Sequence, residues 1–478
     1  MSASGTTLIR GGSVVTPDGV QRVDVSIVDG RISGLPATGG ATPASASEHE
    51  HEHEHEHEQT IDATGMLVLP GAVDAHTHFI QDDPEVATPD PDEFEGFWDG
   101  GRAAAGGGVT CVVEMPHATP PTIDGDSFER KRELAEADAL VDFALWGGVV
   151  QRQATGALSE QIAAGAAGLK AYMCGSDPLL PGVDDARLVE AMSELADTPV
   201  LIGLHAENDA LLSAGLARMQ AEGRRDPLAH ADSRPELVEH EAVARAILFG
   251  QHTGAHVHIV HLSTAAAAEC VRAAKREGAR VSAETCPHYL LLTREDLERL
   301  AGYARCAPPL RTRADVEALW EALADGTLDC VTSDHCAFTA ESKARGAHDI
   351  WQAPNGLPGV QTMLPVIISE GRRRGLAWER IAELTASAPA RLWGLAPRKG
   401  SIAIGADADL AIVDPDASWD VRGEDMLGAH SWTPFEGLRL QGRIVRTLRR
   451  GDTVYEHGVA EPVKGSRGSG RFVAAHRA

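Results

Sequence analysis

Histidines set two residues apart could share a metal ion, and two such stretches frame the chemistry. One is the repeat EHEHEHEHEHE from Glu48 to Glu58, and the other is VDAHTHF, which carries His76 and His78. A strand alternates its faces, so residues two apart project the same way and two imidazoles can reach one ion. His76 and His78 follow the strand-like run MLVLPGAV and meet that condition. The repeat has no apolar partners, so it reads as a solvated loop that captures metal only weakly and exchangeably. Three more ligand-type residues end apolar runs: His205 closes PVLIGLH, His261 closes HVHIVH and Asp334 follows LDCVTS. Four imidazoles and a carboxylate suit a borderline divalent ion such as Zn²⁺, with Mn²⁺, Fe²⁺ or Co²⁺ as other occupants. Lys170 lies inside GAAGLKAYMCG, where a lysine is expensive unless paired or neutralised. It is either a buried ion pair or an amine whose lowered pKa lets it react with CO₂. The resulting carbamate is an anionic, two-oxygen ligand able to bridge two metals.

The elements that must position these residues are legible as a rhythm. Apolar runs (VTCVVEM, ALWGGVV, GLKAYM, VLIGLHAE, HIVHLS, RVSAETC, LDCVTSD) alternate with helical stretches such as Asp126–Leu140, Asp185–Ala196 and Ala265–Glu277. That βαβα order predicts an α/β fold with a parallel sheet. Seven or eight such runs favour a closed (β/α)₈ barrel, a TIM barrel, over residues 71–395. Polar residues then gather at the C-terminal ends of the strands, where barrel active sites lie. Both ends of the chain are strand-rich with Gly/Asp turns, as in VQRVDVSIVDGRISGL and GSIAIGADADLAIVDP. Residues 1–70 and 396–478 are therefore expected to build one smaller β-sandwich domain, with the Glu/His loop inside it.

Bulk properties narrow the function classes. The chain has 478 residues, 43% hydrophobic, and a formal net charge of −27. That charge opposes binding to nucleic acid or to an anionic membrane. Seven cysteines form no CxxC pair, which points to a reducing compartment. No hydrophobic signal region opens the sequence and no long apolar run offers a membrane span, so a cytoplasmic location is expected.

The order HxH, Lys, His, His, Asp resembles the amidohydrolase superfamily, and its cyclic-amide branch in particular: dihydroorotase, allantoinase and hydantoinase (dihydropyrimidinase). LPGAVDAHTHF, GLKAYM, LHAEND, IVHLSTAAA, ETCPHYLLLT, CAPPLR, SDHCAF, PNGLPGVQ and KGSIAIGADADLAIVD carry the likeness along almost the whole chain. The resemblance implies a metal-binding barrel with a sandwich built from both termini. It implies two divalent metals: His76, His78 and Asp334 on the more buried one, and His205 and His261 on the other. Carboxylated Lys170 and a hydroxide would bridge them. One metal would polarise the ring carbonyl, and Asp334 would take the hydroxide's proton and return it to the leaving amide nitrogen. The product would be a ring-opened carbamoyl or ureido acid.

The ring itself is narrowed by departures from the branch pattern. Dihydroorotases carry an arginine two residues after HxH and an asparagine after the MP pair. Ile80 and His117 stand there instead, and neither offers a bidentate charged fork. GGVTCVVEMPHATPPT, ETCPHYL, CAPPLR and TPFEG resemble allantoinase, which opens allantoin to allantoate in purine catabolism. HAEND, DHCAF and PNGLPG lean towards hydantoinase, the alternative. Asn355, Ala307, Tyr172 and Met173 are the expected substrate contacts. Asn355 also reads as a plain turn residue before Gly356. His288 reads as a supporting residue, His335 as an orienter of Asp334 or a packing residue, and Cys336 as pocket lining. A non-catalytic scaffold homologue would have lost ligands, and all six positions are present. By analogy with the branch, a homo-oligomer (dimer or tetramer) is expected. The tail GSRGSGRFVAAHRA reads as a flexible end or an arm against a neighbouring subunit.

Overall fold

The structure is a computed structural model that describes residues 5–38, 59–86, 93–175 and 177–476. The Glu48–Glu58 repeat lies outside the described residues.

Eight parallel strands form one sheet in chain order: Ala72–Thr77, Val109–Glu114, Asp142–Gly148, Gly168–Tyr172, Leu201–His205, Val257–Ile259, Val281–Thr285 and Cys330–Val331. All are buried along their whole length, which explains their continuous apolar character. The sheet closes at the mouth. Thr77 bridges His335 in parallel, and the His78 amide donates to the His335 carbonyl at 2.6 Å. Asp74 adds a side-chain clasp, accepting from the Ser333 amide at 3.0 Å. Helices Gly125–Asp138, Asp185–Leu195 and Ala265–Arg276 occupy the stretches read as helical. Inside the barrel, the Trp146 indole donates to the Ala75 carbonyl at 2.9 Å. Gly168 and Gly203 make room for it, because a Cβ on either would meet that ring at 2.6 Å.

Two further sheets pack on the outside. One has four strands: Arg31–Gly34, Val25–Val28, Thr6–Arg10 and Gln59–Asp62. Its hairpin turns at Asp29–Gly30, both at positive φ, as the Asp-Gly pair predicts. The other has six strands and mixes the two ends of the chain: Asp452–Glu456, Arg439–Arg449, Leu410–Asp420, Leu67–Pro70, Ser13–Thr16 and Gly19–Gln21. Ile9, Val25, Ile27, Val68, Leu410 and Leu448 fill a core between these sheets.

Two sequence expectations need correction. MLVLPGAV is not one strand. Leu67–Pro70 pairs with Leu410–Val413 in the six-stranded sheet, and the barrel begins after Gly71. Both halves are apolar because both are buried, so composition alone hides the break. The basic tail is not a free end. Its backbone pairs with the barrel through Phe143 N to Arg471 O (3.0 Å) and Val473 N to Phe143 O (2.7 Å). Phe472 packs 5.8 Å from the Phe143 ring.

Candidate metal centre and active site

The barrel mouth gathers the ligand-type residues from different strands. His76 lies in the first strand and His78 just beyond it, and their Nε2 atoms are 3.2 Å apart. Asp334, three residues past the last strand, brings Oδ1 to 3.1 Å from His76 Nε2 and 3.3 Å from His78 Nε2. His205 ends the fifth strand and His261 follows the sixth, with His205 Nδ1 3.0 Å from His261 Nε2. The His76 and His261 rings are 5.4 Å apart, which joins the two groups into one site.

Left-handed backbone marks the site as well. Ile80, His261 and Asp334 all have positive φ, at 53°, 40° and 49°. A non-glycine residue holds that conformation only where its surroundings over-determine it. For Ile80 they do so through Glu114, which accepts from the Phe79 and Ile80 amides at 3.0 Å each.

Carboxylates behind the rings fix their orientation. His76 Nδ1 lies 2.5 Å from Glu284 Oε1, while Glu284 Oε2 lies 3.1 Å from His258 Nε2. His205 Nε2 lies 2.8 Å from Glu207 Oε2, which also accepts from Arg234 Nη1 at 2.5 Å. With those nitrogens committed, the opposite lone pairs of His76 and His205 face the site. Burial lowers His78 to about 3 and pulls His261 well below the usual imidazole range. Burial also works against Asp334 as an anion, yet His76 and His78 hold its carboxyl well below normal. The site is thus rich in donor atoms: imidazole nitrogens and a carboxylate stand 3.0–3.3 Å apart. Against its burial, Asp334 and Glu284 raise the pKa of His76, so positive charge is favoured beside them. His76, His78 and Asp334 offer three ligand atoms within 4.8 Å of one another, so the donor set fits a divalent cation.

Lys170 completes the arrangement. It is fully buried, and its Nζ has no hydrogen-bond partner among the described residues. Burial pulls it down to about 8 despite the carboxylates of Asp334 and Glu284. Its charge acts in turn on His76, His205 and His261.

A cavity of about 100 Å³ opens above these groups, lined by His78, His117, Tyr172, Ala307, Asp334 and Asn355 among others. Tyr172 OH lies 3.2 Å from His117 Nε2. Tyr172, Ala307 and Asn355 therefore stand at the cavity as the sequence suggested. Met173 does not. It is buried in the hydrophobic core, because strand neighbours point to opposite faces and Tyr172 takes the inner one. His335 is held from behind: its Nδ1 accepts from the Gly359 amide at 3.0 Å and its Nε2 pairs with Glu95. His288 is buried with Nε2 unpartnered, and with Cys286 it comes within 4.8 Å of Asp334. A larger cavity of about 690 Å³ lies at the other end, but its cations are taken: Arg380 pairs with Glu383, and Lys399 with three aspartates.

The amidohydrolase family profile matches residues 67–454. The chain belongs to the amidohydrolase family. An allantoinase from Rubrobacter xylanophilus is 42% identical over 475 residues, covering 98% of each chain. An L-hydantoinase from Paenarthrobacter aurescens is 34% identical over 98% of this chain and 97% of that one. Among solved structures, the L-hydantoinase (dihydropyrimidinase) from Arthrobacter aurescens superposes with a TM-score of 0.89 at 34% identity, covering 98% of this chain and all of that one. Amidohydrolases are metal-dependent, and the mouth of this barrel carries the clusters that could hold metal. Reading the sequence missed Glu284, Glu207 and Arg234. Glu284 had a signal, a carboxylate inside the apolar run RVSAETC, and Glu207 stood two residues past His205. Arg234 had none, since only tertiary folding brings it to Glu207.

Proposed function

We propose that this chain opens a cyclic amide ring by adding water across a ring C–N bond, with allantoin, opened to allantoate, as its substrate. One observation carries the chemistry: a buried lysine amine, without a hydrogen-bond partner among the described residues, beside four imidazoles and a carboxylate at a barrel mouth. The allantoinase from Rubrobacter xylanophilus, alike over 98% of each chain, supports the choice of ring.

His76, His78 and Asp334 would hold one divalent ion, and His205 and His261 a second. Imidazole and carboxylate donors favour Zn²⁺, with Mn²⁺, Fe²⁺ and Co²⁺ as alternatives. When bound, such ions polarise the ring carbonyl and bring the pKa of water close to neutrality. Lys170, as the neutral amine, would add to CO₂ and lose a proton, giving a carbamate able to serve as an anionic ligand to the ions. Glu284 and Glu207 keep His76 and His205 turned to the site. Asp334 takes a proton from the attacking water and delivers it to the departing ring nitrogen. Tyr172, held by His117, directs its hydroxyl at the substrate carbonyl. The backbone beside Asn355 and Ala307 reads the flat edge of the imide. Cys336 lines the wall as a neutral thiol, because burial and Asp334 push its pKa well above normal.

A hydantoinase-type substrate is the second reading, favoured by the likeness to the Arthrobacter enzyme. Parallel assays with allantoin, hydantoin, dihydrouracil and dihydroorotate decide between them. Allantoin is expected to turn over fastest. Preference for dihydroorotate would contradict the reading of Ile80 and His117.

We further propose that residues 1–70 with 396–478 act as the sandwich unit and 71–395 as the catalytic barrel. A cytoplasmic dimer or tetramer acting on a small molecule completes the reading. No helix among the described residues is long and apolar enough to cross a membrane.

A further inference from the structure

The inner cavity at the ligand residues is small, about 100 Å³. That suits a small ring. Immediately outside lies a second cavity of about 590 Å³. Phe94, Asp177, Phe338 and Asn355 line both, so they form the neck between them. Any group carried on the ring must leave through that neck.

The neck has two apolar walls and two acceptors. The Phe94 and Phe338 rings are 5.5 Å apart. Asp177 is fixed by its own loop, with Oδ1 accepting from the Leu179 amide at 2.8 Å. Its Oδ2 lies 3.3 Å from His117 Nε2 and keeps lone-pair capacity. Asn355 Oδ1 is buried and has no hydrogen-bond partner among the described residues. A buried acceptor without a partner is expensive in the empty site and is satisfied by a ligand N–H.

We propose that Asp177 and Asn355 are specificity-determining residues that select rings bearing a substituent rich in N–H donors, such as a ureido group, over rings bearing an alkyl group. The inference rests on the ring-opening reading and deepens it. A ureido chain offers three N–H groups to the two acceptors, and its flat amide slides between the two phenyl rings. An alkyl chain fits the rings but strips water from Asp177 and Asn355 without replacing it.

The test compares kcat/KM for allantoin and for 5-methylhydantoin, which share the ring and differ in the substituent. The wild type is expected to favour allantoin. In Asp177→Ala the ratio of the two values should fall by about tenfold or more, the loss expected for one acceptor. Asn355→Ser should lower the ratio in the same direction, and it decides the matter if Asp177→Ala does not fold. A wild type that treats both substrates alike overturns the proposal, as does an unchanged ratio in both folded variants. A wild type that opens neither ring defeats the ring-opening reading itself, a result distinct from loss of selectivity.

Discussion

Lys170 and Lys399 stand at opposite ends of one barrel, and both are shut away from water. At the base, Lys399 Nζ meets Asp142 at 2.5 Å, Asp409 at 2.7 Å and Asp407 at 2.9 Å. Burial disfavours its charge, but Asp409 and Asp142 outweigh that and raise its pKa. At the mouth, Lys170 has no hydrogen-bond partner among the described residues, and burial takes it down to about 8. The same side chain at the same depth is locked as a cation in one place and drawn towards the neutral amine in the other. The difference lies in the carboxylates supplied around each. At the base they pair with the lysine and tie barrel to sheet. At the mouth Glu284 and Asp334 turn to the histidines instead, and the lysine is left without a hydrogen bond among the described residues.

Substitution at each end should separate these roles. Lys170→Ala is expected to lose at least about 10³-fold in turnover together with bound metal, since it removes the group between both ligand sets. Short carboxylic acids should restore part of both, and melting should shift little. Full turnover in this variant would contradict the bridging role. Lys399→Met should do the reverse. It strips Asp409 of its cation and leaves Asp142 and Asp407 with only Arg450 and Arg398, a loss of about 3–5 kcal/mol in denaturant unfolding. Metal content per folded chain should hold. A stable but metal-free Lys399→Met would erase the contrast.

Lys343 provides a third case, hydrogen-bonded but without a carboxylate partner among the described residues. It is buried and donates to the carbonyls of Arg305, Pro354 and Gly356 at 2.7–3.0 Å, with no carboxylate within ion-pair reach among the described residues. Burial pulls it down to about 7 from 10.5. Between those two values the unfolded chain carries a proton that the folded chain lacks, so raising pH through that window favours folding. The gain is at most about 1.4 kcal/mol per pH unit. Wild-type stability relative to Lys343→Met should therefore rise from pH 7 to pH 9. A pH-independent difference would place Lys343 with the paired lysines. The smallest effect is expected from deleting Glu48–Glu58. Turnover in metal-replete buffer should stay within about twofold, because a solvated repeat holds no fixed coordination geometry.

The same contrast explains what could be read from the sequence. His76, His78, His205, His261 and Asp334 were legible because each interrupts or ends an apolar run, and a parallel barrel sends all such ends to one face. Lys170 stood out as a charge in a buried strand. Glu207 and Glu284 were not assigned, because a carboxylate's partner is fixed by tertiary neighbours rather than by spacing. Met173, one residue past the strand that ends at Tyr172, lies in the hydrophobic core, which its place in an apolar run could not separate from the cavity. The tail from Gly465 was misread because its pairing with Phe143 spans more than 300 residues, and its basic, Gly-rich composition carries no trace of that contact.

Metal stoichiometry set against allantoin turnover is the most direct test. Protein stripped by chelator, then reloaded with Zn²⁺ in bicarbonate, should regain activity in step with bound metal and reach its maximum at two ions per chain. Full turnover in the stripped protein, or a plateau reached with no metal retained, would contradict the paired-cation centre built on Lys170.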